Sequence, residues 1–200
     1  MANQEFGTVF FDEITVARFD GQVWSATALQ PSDQLNLHPA THVLHYASTC
    51  FEGMKAFRHQ DGEVAVFRLK DHVKRMQNSA RGLHLPVPDS EQLQSMIIDL
   101  LAKYREQVPA FPGSAYIRPT LMGTDTSIGR AAAPSETAML LVLMSPVGDY
   151  FTPGAQMRVL LETENLRCAP HFGAMKAGGN YASALGLVMD AQEKYGAQQV

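Results

Sequence analysis

Apolar residues recur at helical spacing in the middle of the chain. Residues 93, 96, 97, 100, 101 and 104 are all apolar or aromatic and lie on one side of a helical projection. The segment 89–92 just before them resembles a capping box, which is typical of a helix N-terminus. A weaker repeat predicts a helix over 70–81, and a third helix is predicted over 182–195, closed by Gly196.

Shorter apolar segments separated by turn residues predict strands. Residues 13–19 and 22–24 flank Asp20 and Gly21, which is typical of a hairpin. A second hairpin is predicted from residues 54–58 and 63–67, because the connection ends in Asp61 and Gly62 and glycine supplies the positive φ of such turns. Further strands are predicted at residues 114–118, 138–144 and 157–161.

The order of these elements predicts a fold class and a domain division. Strands cluster before helices without strict alternation, which favours α+β over a doubly wound parallel sheet. Residues 145–154 contain two prolines and two glycines and are typical of a linker. This segment is therefore a candidate boundary between two domains.

Composition excludes several classes of protein. The 200 residues carry 16 Lys and Arg against 20 Asp and Glu, so the net charge of −4 gives no electrostatic reason to expect nucleic-acid binding. Two cysteines argue against a disulfide scaffold and fit a reducing compartment. The longest aliphatic run, residues 138–144, is about a third of a membrane span. The first residues also lack a signal-peptide pattern, so we expect a cytoplasmic protein without a membrane partner.

The segment 172–181 carries the most unusual chemistry in the chain. A single lysine, Lys176, lies among small and apolar residues and is followed by Gly178 and Gly179. Desolvation of such a lysine destabilises its ammonium and makes the amine a nucleophile or Schiff-base former. Taken alone, the pattern is far more typical of an ordinary turn before a helix, and it lacks the spacing of a Walker A loop.

Three histidines at helical spacing raise the question of a metal site. His38, His42 and His45 would share one helical face, but Pro39 interrupts that helix. No acidic or cysteine ligand is close to them in the sequence, so we predict no metal site.

Several segments occur together with the lysine segment in a fixed order. With residues 45–53, 67–76 and 115–119, it resembles the branched-chain aminotransferases, which are fold-type IV enzymes that use pyridoxal 5'-phosphate (PLP). The resemblance extends from about His38 to Gly196. It implies a small N-terminal α+β domain over residues 1–146, an interdomain loop over 147–156 and, over 157–200, the front part of a larger PLP-binding pseudo-barrel domain.

The resemblance implies three cofactor contacts. Lys176 matches the lysine that forms a Schiff base with PLP and then moves a proton during catalysis. Arg75 matches the arginine that binds the cofactor phosphate, a task suited to its forked donors. Tyr181 matches the tyrosine that hydrogen-bonds the ring oxygen of the cofactor.

The resemblance also implies a substrate pocket. Tyr46, Phe51, Tyr116 and Tyr150 match residues around the amino-acid side chain, where aromatic rings contact aliphatic groups. Arg118 matches an arginine that binds the second carboxylate of glutamate or 2-oxoglutarate. The implied reaction is ping-pong transfer of an amino group between Leu, Ile or Val and 2-oxoglutarate, in a homodimer or higher homo-oligomer.

Two alternatives stay open. One is a D-amino-acid aminotransferase or a lyase of the same fold; the other is a catalytically incomplete fragment that acts only in assembly. The chain continues from Lys176 only to Val200, and we expect relatives to supply a pyridine-binding glutamate and phosphate-binding turns further on. On that ground we expect the 200 residues alone to be inactive, and residues 198–200 to begin a strand.

Overall fold

The computed structural model describes residues 6–148, 154 and 156–200. The strands are β1 (Glu13–Phe19), β2 (Ala28–Pro31), β3 (Thr49–Phe51), β4 (Met54–Arg58), β5 (Val64–Val66), β6 (Ser114–Gly123) and β7 (Ala138–Val147). The helices are α1 (His42–Tyr46), α2 (Leu69–Gly82), α3 (Ser90–Lys103) and α4 (Gly178–Tyr195), with one turn of 3-10 helix at Arg105–Gln107.

The strands of the described residues form one antiparallel sheet in the order β2-β1-β7-β6-β4-β5. The long strands β6 and β7 pair over their whole length and form its centre, with Ile117 opposite Met144. β3 also pairs with β6, which brings Phe51 opposite Thr120. The short strand β3 therefore holds Phe51, one of the functional residues described below, beside the centre of the sheet.

Helices α2 and α3 cover one face of the sheet and form the main core. The apolar face of α3 is fully buried at Leu93, Met96, Ile97 and Leu100. Burying each side chain of this kind contributes about 1.5–3 kcal/mol relative to leaving it exposed. Asp89 caps the helix by accepting hydrogen bonds from the backbone N–H groups of Glu91 and Gln92. The predicted α3 helix and its start are thus confirmed.

The α+β class is confirmed, and the second predicted hairpin and all three helices are present. α4 begins at Gly178, four residues before the predicted start, and β6 and β7 extend to Gly123 and Val147. Two predicted strands are wrong. Residues 22–24 and 157–161 make only isolated bridges, Phe19 with Trp24 and Val159 with Gln199.

Both segments fail to form strands because neither is hydrogen-bonded along its length to a neighbouring strand. Trp24 turns towards the helices, where its indole N–H donates to the Val87 carbonyl at 3.4 Å and its ring packs 5.4 Å from the Phe19 ring. Val159 lies beside Gln199, and the hydrogen bonds from Leu160 and Gln198 extend this pairing by one residue on each side. Residues 198–200 therefore make a bridge and not a strand.

The predicted interdomain loop, 147–156, falls largely on residues outside those described. The three-part domain division therefore stays a prediction. No helix in the described residues is long and apolar enough to cross a membrane.

Candidate functional site

The backbone of Lys176 is held by two separate elements. Its N–H donates to the Ser79 hydroxyl oxygen on α2 at 3.0 Å, and its carbonyl accepts from the N–H of Phe51 on β3 at 3.0 Å. Ser79 is fully buried. Because α2 and the sheet share one core, these two bonds place the lysine relative to the most rigid part of the fold.

The segment before the lysine is held by a side chain from α4. The Asn180 amide donates to the carbonyls of Phe172 and Met175, both at 3.0 Å. The Met175 side chain fills the space beside Gly82, where an added Cβ would lie 2.0 Å from the Met175 sulfur. Asn180 thus shapes the turn, and Gly82 allows α2 to approach it closely.

The Lys176 amine lies between two aromatic rings. Its Nζ donates to the Tyr181 hydroxyl oxygen at 2.6 Å. It is 4.7 Å from the centroid of the Phe51 ring and 5.0 Å from that of the Tyr181 ring. Tyr181 is placed by the first turn of α4, and the two rings lie 5.2 Å apart. Three of the residues singled out from the sequence therefore meet at one point.

A cavity of about 220 Å³ opens beside this amine. Its charged lining residues are all cations: Arg75, Arg167 and Lys176. Arg167, whose guanidinium carbon lies 5.7 Å from the Tyr181 ring centroid, was missed by the sequence reasoning. Nothing in its local sequence distinguishes it from a surface arginine. The arrangement can bind an anionic group next to a primary amine and a phenol hydroxyl.

Arg75 lies at the edge of this cavity and is paired with a buried acid. Its Nε and Nη2 donate to the two carboxylate oxygens of Glu52 at 2.5 and 2.6 Å. His72 Nδ1 lies 2.9 Å from Glu52 Oε2. The hydrogen bond to Glu52 raises the pKa of Arg75 above its ordinary value. Glu52 was not predicted from the sequence. Its place next to an apolar strand is nevertheless a signal, because a glutamate that becomes buried there needs a partner.

Cys50 lies in the same part of the core and has no disulfide partner. Burial, followed by the charge of Glu52, raises the pKa of its thiol to about 12. The thiol is therefore protonated at neutral pH and packs as part of the core.

The predicted substrate residues Phe51, Tyr116 and Arg118 meet next to the lysine. The guanidinium carbon of Arg118 lies 4.5 Å from the centroid of the Phe51 ring that Lys176 also contacts. Arg118 Nη2 donates to the Tyr116 hydroxyl oxygen at 2.8 Å. The Nε of Arg118 is buried and has no hydrogen-bond partner among the described residues. The Phe51 ring thus contacts both the Lys176 amine and the Arg118 guanidinium.

A second cavity, of about 530 Å³, lies on this side. Tyr116, Arg118 and Lys55 contribute its polar and charged groups, and Phe10 and Leu143 are among its apolar lining residues. Such a mixture suits a small molecule with an aliphatic part and an anionic group. An added Cβ at Gly53 would lie 2.0 Å from the Tyr116 hydroxyl oxygen, so glycine is needed for the position of that ring.

Among the described residues, the predicted substrate residue Tyr46 is not joined to this site. The Tyr46 ring packs 4.7 Å from the His42 ring, and its hydroxyl donates to the Ile128 carbonyl. No hydrogen bond or ring contact among the described residues connects Tyr46 to Lys176. Tyr150 lies outside the described residues.

The three spaced histidines make separate local contacts. His42 Nδ1 lies 2.8 Å from the Ser48 hydroxyl oxygen, and His45 Nε2 lies 2.9 Å from the Pro39 carbonyl. His38 Nδ1 accepts from the N–H of Ala40 at 3.1 Å. Each ring thus has its own partner within the fold.

Ser79→Ala is expected to loosen the lysine segment. The variant leaves the part-buried Lys176 N–H without its acceptor, which costs about 1 kcal/mol. Urea unfolding should show this loss of stability, and amide hydrogen exchange should become faster at Lys176. Lys74→Ala, at an exposed position of the same helix, is the matched control and should change neither. Unchanged exchange at Lys176 in Ser79→Ala would contradict the expected role of this bond.

Comparison with known proteins gives a consistent picture. The family model described as amino-transferase class IV matches residues 49–199. The chloroplastic branched-chain-amino-acid aminotransferase 5 of Arabidopsis thaliana is 41% identical over 169 residues, which cover 83% of this chain and 40% of that protein. The cytosolic branched-chain-amino-acid aminotransferase of Mus musculus is 40% identical over 200 residues, covering 98% of this chain and 51% of that protein.

The fold is also similar to solved structures. The crystal structure of a branched-chain amino acid aminotransferase from T.th. with pyridoxamine 5'-phosphate matches with a TM-score of 0.75 and 27% sequence identity. The match covers 95% of this chain and 58% of that one. The chain thus spans about half the length of the curated relatives it matches.

Proposed function

The chain belongs to the class IV aminotransferases, and from this premise we propose that it supplies the lysine-bearing part of a PLP-dependent branched-chain aminotransferase. The proposed reaction moves an amino group between Leu, Ile or Val and 2-oxoglutarate. The observation that carries the proposal is the Lys176 amine, held at 2.6 Å by Tyr181 at the wall of a cavity whose charged lining residues are all cations.

The donor set of this cavity fits PLP. The cofactor has an aldehyde, a phosphate and a ring hydroxyl, and the cavity offers a primary amine, two guanidinium groups and a phenol. We assign Lys176 to the aldehyde carbon, Arg75 to the phosphate and Tyr181 to the ring oxygen. When bound, PLP serves as the electron sink that makes the Cα proton of an attached amino acid removable.

The residues of the chain then have distinct tasks. Lys176 would hold the cofactor through its aldehyde carbon, and the freed Lys176 amine would act as the base and acid that moves the Cα proton of the substrate. The Tyr181 hydroxyl keeps that amine in place through the first turn of α4. The two hydrogen bonds of the Lys176 backbone, to the Ser79 hydroxyl and from the Phe51 N–H, hold the backbone from which the amine projects.

The neighbouring cavity is the proposed substrate side. Leu143 lines this cavity and would contact an aliphatic side chain, and Arg118 would bind the second carboxylate when 2-oxoglutarate occupies the site. Phe51, whose ring lies against the Arg118 guanidinium, is proposed to border the same substrate. The buried Arg118 Nε supports this assignment, since it has a hydrogen to donate and no acceptor among the described residues. We further propose that the protein forms a homodimer or larger homo-oligomer, as the resemblance implies.

The test of the proposed function is the choice of amino donor. The chain covers only about half of its relatives' length, so the test uses a protein of their full length that contains it. Loaded with PLP and mixed with L-leucine, this protein should release the corresponding 2-oxo acid, whereas D-alanine should release none. The oxo acid is measured by chromatography, with PLP-loaded Lys176→Ala as the blank. Release from D-alanine without release from L-leucine would instead support a D-amino-acid aminotransferase. Release from neither would favour the alternative in which the chain acts only in assembly.

A further inference from the structure

The carboxylate of Glu52 is the most deeply buried charge near the proposed cofactor site. Its side chain has no exposed surface, whereas half of the Arg75 side chain is exposed. An ionised carboxylate in such a position requires compensation by hydrogen bonds and opposite charge. Glu52 receives two hydrogen bonds from Arg75 and lies 2.9 Å from a ring nitrogen of His72. Arg75 therefore lies on the boundary between the core and the cavity.

The geometry of this pair leaves part of the guanidinium free. Arg75 uses Nε and Nη2 for the two oxygens of Glu52, which is the side-on bidentate arrangement. A guanidinium has five N–H donors, so Nη1 and the second hydrogen of Nη2 remain available. Because Arg75 also lines the cavity beside Lys176, that free edge is the one that can face a bound anion.

We infer that Glu52 is a positioning residue that acts through Arg75. It fixes the plane of the guanidinium from the core side, so that the opposite edge is oriented towards the phosphate of the cofactor before the cofactor arrives. The inference rests on the proposed function, since it concerns the phosphate of PLP. An arginine side chain held in its binding orientation loses less conformational entropy when it binds.

The negative charge of Glu52, considered alone, predicts that replacing Glu52 strengthens phosphate binding. Glu52 carries a negative charge close to the place of a phosphate, and removing that charge would strengthen the attraction between the cavity and the anion. The positioning role predicts weaker phosphate binding when Glu52 is replaced, because the Arg75 guanidinium loses the partner that holds its orientation. The sign of the effect therefore separates a positioning role from a purely electrostatic one.

The test compares PLP with pyridoxal, which has the same aldehyde but no phosphate. The ratio of their apparent affinities for Schiff-base formation at Lys176 is measured by absorbance and borohydride trapping. Glu52→Gln should lower the preference for PLP by about tenfold or more, the size of a lost charge-assisted hydrogen bond. Arg75→Met should lower it similarly, and the double variant should show no further loss. Glu63→Gln, which removes an exposed partner of Arg105, should leave the ratio unchanged.

The possible results distinguish a failure of the positioning role of Glu52 from a failure of the proposed function. An unchanged or increased preference for PLP in Glu52→Gln overturns the positioning role and leaves the proposed function standing. If the wild-type chain forms a Schiff base at Lys176 with neither aldehyde, the proposed function fails and this inference fails with it. Should Glu52→Gln not fold, Glu52→Asp is decisive, because it keeps the charge but shortens the reach. A reduced preference supports positioning, and an unchanged preference overturns it.

Discussion

Lys176→Ala is expected to abolish the near-visible absorption band that the wild-type chain develops with PLP. The band arises from a Schiff base, and the Lys176 amine is the one placed beside Tyr181 and the cationic cavity. The measurement is an absorbance titration with PLP, followed by borohydride, which should remove the band from the wild-type chain.

The matched control is Lys74→Ala, which removes an exposed lysine from α2. It should keep the full band, because exposed lysines lack the aromatic and phenol contacts of Lys176. A band of wild-type intensity in Lys176→Ala, or its loss in Lys74→Ala, would contradict the assignment of the covalent residue.

Leu140→Ala is expected to lower the free energy of unfolding by about 3 kcal/mol. Leu140 is fully buried on central strand β7 and belongs to the core between the sheet and helices α2 and α3. Its truncation removes apolar contacts and leaves a cavity that a central strand cannot readily close. Urea unfolding at neutral pH, followed by circular dichroism, measures the change.

The matched control for this prediction is Leu143→Ala on the same strand. Leu143 is only partly buried and lines the larger cavity, so its truncation should cost clearly less than that of Leu140. Equal costs at the two positions would mean that the helix-covered face is not the principal core.

The parts of the fold that could be predicted from the sequence are those whose signals are local. Helix α3 has both a continuous apolar face and a capping aspartate, and the β4–β5 hairpin has a glycine turn. The predicted start of α4 is too late, because Gly178 and Gly179 are poor helix formers. Asn180 ties the preceding turn to this helix through two carbonyls, a tertiary effect that propensity does not include.

The site was predictable where a residue has a recognisable motif and was missed where its role depends on distant contacts. Phe51, Tyr116, Arg118, Lys176 and Tyr181 lie in one chain of contacts, and their functional roles stay predictions. The hydrogen bonds from Arg75 to Glu52 and from Lys176 to Ser79 join residues 23 and 97 positions apart. A single sequence does not reveal such pairs, because serine and glutamate occur far more often on surfaces.

The central claim, that Lys176 is the residue that binds PLP covalently, is tested most directly by mapping the trapped cofactor. The wild-type chain is incubated with PLP, reduced with borohydride, digested and examined by mass spectrometry. The account predicts that the phosphopyridoxyl group is found on the peptide containing Lys176, and at far lower occupancy on exposed lysines such as Lys74. Equal labelling of Lys176 and the exposed lysines, or no label on Lys176, would contradict it.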